Sequence, residues 1–311
     1  MAQPVILLMG PTAAGKTAVA MELTQHLPVE LINVDSALVY KGLDIGAARP
    51  TPEELRQAPH RLMGIREPWE PYSAAEFRRD ALKEIKAIHA IGKIPLLVGG
   101  TMMYFRALVA GLATLPAADA ALRQRLDAEA AEKGWPHLHA RLAAVDAATA
   151  ARLAPQDSQR IQRALEVFEL TGKPLSIHHQ EQQAQQETFP YPLFQFAVAP
   201  SQRSVLHERI ALRLEQMFAQ GMVAEVAKLK ANPRLNGDEP AMRSVGYRQV
   251  WQYLDGAYDE ATMKHKALVA TRQLAKRQLT WLRSWPNVQW VDPTTEDAVG
   301  TIVEQLHGIV L

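Results

Sequence analysis

The stretch VILLM–GPTAAGKT, residues 5–17, sets five apolar residues directly before a glycine-bounded loop that closes on Lys16 and Thr17. An apolar run of that length bounded by glycine reads as a short buried strand, and the alanine-rich pattern from Lys16 to His26 reads as the helix that follows it. Between them, Gly10, Gly15, Lys16 and Thr17 fill every fixed position of a phosphate-binding loop. Glycine is needed at 10 and 15 so that successive backbone N–H groups can turn inward on phosphate oxygens at the positive end of the helix. Gly10, Pro11, Thr12, Ala13, Ala14 and Gly15 would form the cradle, Lys16 would add a point charge, and Thr17 would offer its hydroxyl to Mg2+, the expected cofactor. The motif does not say which phosphate compound is held.

Working outward, ELINVD (30–35) reads as a second strand ending on Asp35, and IPLLVGGT (94–101) as a third ending on Gly99, Gly100 and Thr101, after a helix near 74–91. Strands alternating with helices imply a parallel α/β sheet, a P-loop NTPase-like core flanked by helices. Ligands in such sheets bind beyond the carboxyl ends of the strands, so Gly10–Thr17, Asp35–Ser36 and Thr101 are expected to converge. From about 116 to 190 the texture turns alanine-, arginine- and glutamine-rich without β-branched runs, which predicts an all-helical insertion over 116–194 within a discontinuous core of 1–115 and 195–311. One insert helix is capped by Asp157 or Ser158 and ends before Gly172. HHQEQQAQQE (178–187) is low in complexity and reads as an exposed helix end or linker, while the adjacent His178 and His179 lack the helical spacing that metal ligation needs. FQFAV (194–198) returns to strand, helices follow at 203–219, 221–231 and 261–283, and VQWVD (288–292) reads as a last strand.

Composition narrows the class. With 311 residues and 48% hydrophobic content the chain can bury a large core. Lysine and arginine total 34 against 33 acidic residues, so a nucleic-acid surface would have to come from local clustering. The absence of cysteine excludes disulfides, thiolate zinc sites and cysteine nucleophiles. Neither a signal-like start nor about 18 consecutive apolar residues occurs, and the expectation is a cytoplasmic, membrane-free protein acting as a monomer. Asp35 keeps three readings: a magnesium-organising carboxylate, a general base aimed at an acceptor, or a helix cap. No asparagine precedes a lysine, which excludes the guanine-reading string of GTPases. An ATP-dependent small-molecule kinase with the insert as a lid remains the alternative enzyme, and a nucleotide-gated RNA-binding adaptor without chemistry the alternative class.

Seven strings taken together narrow this further: GPTAAGKT (10–17), DSALVY (35–40), LDIGAARP (43–50), LLVGGTMMY (96–104), QRIQRALEVFELTGKPLS (159–176), RSVGYRQ (243–249) and TRQLAKRQLTWLR (271–283). In this order they resemble the bacterial tRNA dimethylallyltransferase family over nearly the whole chain. The resemblance implies dimethylallyl diphosphate as donor, its diphosphate in the loop, and the exocyclic amine of the adenosine 3′ of the anticodon as acceptor. It implies acceptor contacts from Asp35, Ser36, Ala37, Leu38 and Thr101, with Thr101 near the bridging oxygen, and diphosphate contacts from Arg209 and Arg213. Surface ion pairs with Glu208 or Glu215 are the alternative for those two arginines. Contacts to the anticodon stem-loop fall to Arg123, Gln159, Arg160, Ile161, Gln162 and Arg163 in the insert, and to Arg243, Arg272, Lys276 and Arg277 near the end. An ordinary solvated helix face is the competing reading for the insert, and core packing for Trp281. The chain departs from the family's common residues at Ala47, Arg49, Arg61, Gly64, Met102 and Met103, all near the expected substrate pocket.

Overall fold

The computed structural model describes residues 3–113, 115–184 and 189–310. The chain forms two compact units, Met1–Val109 with Phe189–Leu311, and Ala110–Thr188. The boundaries expected from sequence at 115/116 and 194/195 fall a few residues later. At the second junction the reason is aromatic packing: Tyr191 lies on the ring of His89, Phe189 lies on Tyr191, and the amide of Val5 donates to the carbonyl of Pro192, so the chain rejoins the core before its strand begins.

The first unit opens with β1 (Val5–Met9), α1 (Lys16–His26), β2 (Val29–Val34), α2 (Pro52–Gln57), β3 (His60–Arg61), α3 (Ala74–Ala90), β4 (Ile94–Gly99) and α4 (Met102–Ala110). The second unit is α5 (Ala120–Lys133), α6 (Trp135–Val145), α7 (Ala147–Ala150), α8 (Ser158–Thr171) and α9 (Leu175–Ala184). The first unit resumes with β5 (Leu193–Val198), α10 (Arg203–Ala219), α11 (Met222–Lys230), α12 (Tyr247–Leu254), α13 (Glu260–Arg283), β6 (Gln289–Val291) and α14 (Ala298–Val310). β2 and β4 stop one and two residues short of the expected ends, which leaves Asp35, Gly100 and Thr101 in the loops beyond them. Gln185, Gln186 and Glu187 of the expected linker lie outside the described residues.

All six strands run parallel in the order β3-β2-β4-β1-β5-β6. β1 is central and buried on both faces: Val5, Leu7 and Met9 enter one core layer while Ile6 and Leu8 enter the other. That explains an apolar run without alternation. Because β1 lies beside β4, and β4 beside β2, the carboxyl ends of these three strands sit next to one another. β3 and α12 were not foreseen. β3 is two residues long and is held by Arg61, which pairs with Glu30 of β2 at 2.6 Å and Glu84 of α3 at 2.6 Å. In the second unit Leu126, Leu138, Leu142 and Ile161 are fully buried in a separate helical core. The cap of α8 is Asp157, whose carboxylate accepts from the amide of Arg160.

Candidate active site

The loop 10–17 turns sharply enough that Ala13 and Gly15 both take left-handed backbone, at φ 62° and 99°. A Cβ on Gly10 would overlap the carbonyl oxygen of Val198 on β5, so only glycine lets the loop leave the sheet here. Lys16 folds back to donate from Nζ to the carbonyl of Pro11 at 2.7 Å. Burial, reinforced by the charge of Arg213 and opposed by Asp35, lowers the Lys16 ammonium to a pKa of about 8. Arg213 is likewise lowered by burial, with Asp35 acting in the opposite direction. Two cations are therefore held close together, with Asp35 the carboxylate that acts on both, an arrangement suited to an added anion.

Two cavities flank these groups. The larger, about 500 Å3, is bordered by Ala13 to Ala18, by Ile45, Ala48, Arg49, Pro50 and Glu54, and by Arg213, Gln216 and Met217 of α10 with Gln220 just beyond its end. The smaller, about 110 Å3, is bordered by Thr12, Lys16, Thr17, Asp35, Gly100, Arg213 and the apolar Leu38, Ala47, Met63 and Val98. Lys16, Thr17 and Arg213 face both. The loop, Asp35 and Gly100 therefore meet at the strand ends as expected, while Ser36 and Thr101 border neither cavity. Asp35 Oδ1 accepts from the amide of Ala37 at 2.8 Å, closing a turn, while its other oxygen has no hydrogen bond among the described residues. Asn33 fixes the backbone of Asp35 from both sides, accepting from its amide at 3.1 Å and donating to its carbonyl at 3.2 Å. The Thr101 hydroxyl accepts from the amide of Ser36 at 3.0 Å and donates to its hydroxyl at 3.3 Å, tying the end of β4 to the end of β2.

Neither Arg209 nor Arg213 pairs with Glu208 or Glu215 among the described residues. Arg209 Nη1 reaches the carbonyl of Ala14 at 3.5 Å, on the back of the loop. One residue in this site was missed from sequence. Gln278 of α13 is buried, accepts from the amide of Thr12 at 2.9 Å and donates to the carbonyl of Gly100 at 2.9 Å, bridging the phosphate loop to β4. A Cβ on Gly100 would collide with it. Its signal was available, since Ala267, Ala275, Gln278 and Leu282 follow helical spacing and the glutamine is the polar member of a buried stripe. Arg49, noted only as a departure, borders the larger cavity, lies 2.6 Å from Asp44 and donates to the carbonyl of Tyr40 at 2.6 Å. Gly64 adopts φ 64° directly under its guanidinium. Met102 is buried and Met103 is 57% exposed.

The insert residues are placed differently. Ile161 is fully buried in the helical core, so its side chain offers nothing to RNA; the apolar face of α8 that it shares with Leu165 packs inward. Arg123 and Arg163 both pair with the fully buried carboxylate of Glu166, at 2.8 and 2.6 Å, and remain partly exposed. Arg160 pairs with Asp157 at 2.7 Å, Gln162 donates to Asp127 at 2.7 Å, and Gln159 is exposed. Arg243 is exposed and donates to the carbonyl of Asp238 at 2.6 Å. Lys276 and Arg277 are exposed on α13 and Arg272 is half-buried. Trp281 packs partly into the core under Arg106. His178 meets the Thr171 hydroxyl at 3.2 Å.

Comparison with known proteins gives this geometry a lineage. The family model described as IPP transferase matches residues 38–285. The chain belongs to the IPP transferase family. It is 57% identical to the tRNA dimethylallyltransferase of Thiobacillus denitrificans over 295 residues, covering 94% of this chain and 93% of that one. The tRNA dimethylallyltransferase of Alkalilimnicola ehrlichii is also 57% identical, over 93% of this chain and 91% of its own. Among solved structures, the tRNA isopentenylpyrophosphate transferase of Bacillus halodurans superposes with a TM-score of 0.71 at 34% identity, over 99% of this chain and 95% of that one. A eukaryotic dimethylallyltransferase acting on tRNA shares the fold, with a TM-score of 0.78 at 24% identity, over 98% of this chain and 77% of that one. Membership of the IPP transferase family sets aside the kinase and adaptor alternatives. No helix among the described residues is long and apolar enough to cross a membrane.

Proposed function

We propose that this chain transfers a dimethylallyl group from dimethylallyl diphosphate to the exocyclic N6 amine of adenosine 37, 3′ of the anticodon, in tRNAs reading codons that begin with U, and releases diphosphate. The observation that carries the reading is one cavity bordered at once by Lys16, Thr17 and Arg213, which suit a diphosphate, and by Asp35, which suits an acceptor amine. The apolar Leu38, Ala47, Met63 and Val98 between them suit a five-carbon chain. As the amine nitrogen bonds to the terminal allylic carbon, the carbon–oxygen bond breaks and diphosphate leaves with the electron pair. Asp35, through the oxygen that Ala37 does not occupy, accepts the proton. Loop amides, Lys16 and Arg213 stabilise the charge that develops on the leaving group. The acceptor base has to be extruded from its stack, at a cost of a few kcal/mol that tRNA contacts offset; Arg123, Gln159, Arg160 and Arg163 of the helical unit are proposed for these.

Among the described residues no three His, Cys, Asp or Glu side chains are grouped to hold a metal. The Thr17 hydroxyl and the Asp35 carboxylate nonetheless border one cavity, a donor set suited to Mg2+ held mainly by diphosphate oxygens and water. When bound it would neutralise charge on the diphosphate. The direct test is incubation of unmodified tRNA with the chain, magnesium and dimethylallyl diphosphate, followed by nucleoside mass spectrometry. One dimethylallyl group in place of a hydrogen on that adenosine is expected; an unmodified base would refute the proposal.

A further inference from the structure

The segment Asp44–Pro50 forms a wall common to both cavities: Ile45, Ala48, Arg49 and Pro50 border the larger one, and Ala47, Ala48 and Pro50 the smaller. It belongs to no helix or strand. Two internal turns, from the amide of Ala48 to the carbonyl of Ile45 at 3.0 Å and from the amide of Arg49 to the carbonyl of Asp44 at 2.9 Å, shape it but do not anchor it. Its anchor is Glu225, in the first turn of α11. Glu225 Oε2 accepts from the amides of Ile45 at 2.7 Å and Asp44 at 3.2 Å, and Oε1 accepts from the amide of Gly46 at 3.1 Å. Three successive amides converging on one carboxylate form the nest that elsewhere binds a free anion. Here a side chain fixed to a helix fills it.

The carboxylate is itself held. The Tyr247 hydroxyl donates to Glu225 Oε1 at 2.6 Å, and Tyr247 is fully buried. Burial, with Glu225 beside it, pushes the phenol upward, so the hydroxyl keeps its proton and stays a donor. Gly46 fits only as glycine: a Cβ there would stand 2.8 Å from Met222 and from the Tyr247 ring. Beyond the nest, Asp44 contacts Arg49, which borders the larger cavity. Arg213 of α10, the helix that precedes α11, borders both cavities as well. Two consecutive helices therefore supply a cation of the smaller cavity and the tether of the segment beside it.

We infer that Glu225, held by Tyr247, is a positioning residue that fixes the Ala47–Pro50 border of the smaller cavity, where the donor is proposed to bind, without touching the donor. This rests on the proposed occupation of the phosphate loop by the donor. The test uses the full chain with Glu225→Gln and Tyr247→Phe, the second keeping the packed ring and removing only the hydroxyl. Each loses hydrogen bonds to a charged acceptor, for which a roughly tenfold rise in donor KM is expected for Glu225→Gln and a smaller rise for Tyr247→Phe. The KM for tRNA should stay within about twofold, since tRNA affinity is proposed to come mainly from Arg123, Gln159, Arg160 and Arg163 of the helical unit. Amide hydrogen exchange over residues 44–46 should quicken in the same order as donor KM rises. A purely structural role would lower Tm and leave the donor-to-tRNA KM ratio untouched. An unchanged ratio in both variants overturns the inference. An inactive wild type overturns the proposed function instead.

Discussion

Raising the pH should weaken donor binding through Lys16, over a window that the structure sets. In the free protein its ammonium has a pKa lowered to about 8, first by burial and then by Arg213, with Asp35 opposing. A bound diphosphate places negative charge beside it and returns its pKa towards or above the ordinary value near 10.5. Protonated lysine is then linked to donor binding, and each pH unit above 8 costs about tenfold in affinity until the bound-state pKa is reached. About nine-tenths of Lys16 is protonated at pH 7 and only a few per cent at pH 9.5, so affinity should fall roughly 30-fold between them. The last proton of the diphosphate ester leaves with a pKa of about 6, and its loss can only strengthen binding as pH rises, which leaves the protein as the source of the fall. Calorimetric titration of dimethylallyl diphosphate, without tRNA, measures it, and Lys16→Met supplies the baseline. A flat wild-type profile, or the same slope in Lys16→Met, would refute the reasoning. Stability carries the opposite sign. Between about pH 8 and 10.5 the unfolded chain binds more protons at Lys16 than the folded chain, so the folded state gains stability as pH rises through that interval.

Asp35→Asn should slow the single-turnover chemical step by about 100- to 10,000-fold with donor and tRNA affinities near wild type, because the amide keeps the bond from Ala37 but loses the basic oxygen. Substantial rescue by added magnesium would instead make Asp35 a metal-organising group. Arg160→Ala should weaken tRNA binding and reduce the slope of log affinity against log salt by about one, measured by filter binding across a salt series; an unchanged slope returns α8 to an ordinary solvated face. Gln278→Leu strands the Thr12 amide and the Gly100 carbonyl and should cost about 1–3 kcal/mol in urea unfolding. An unchanged midpoint would mean that water takes over the bridge.

The sequence by itself determined the parts whose physics is local. Val5–Thr17 carries its own strand, turn and helix signals, and Ser158–Thr171 is bounded by an aspartate cap and a left-handed glycine, so each element falls where the pattern puts it. Convergence of Asp35 and Gly100 on the loop followed from a general rule about parallel sheets, because adjacent carboxyl ends need no knowledge of particular side chains. Ile161, expected among the tRNA contacts, is instead fully buried with Leu165, and that burial removes its side chain from any RNA surface. The tertiary structure alone decided what depends on partners distant in the chain. Gln278 lies 266 residues from the Thr12 amide that it accepts from, and Glu225 lies about 180 from the amides that it gathers. Helical spacing marks Gln278 as the polar member of a buried stripe, but nothing local to it or to Glu225 says which distant groups they meet. Their partners are backbone amides, which every residue but proline possesses, so only the packing of α11 and α13 selects which amides they meet.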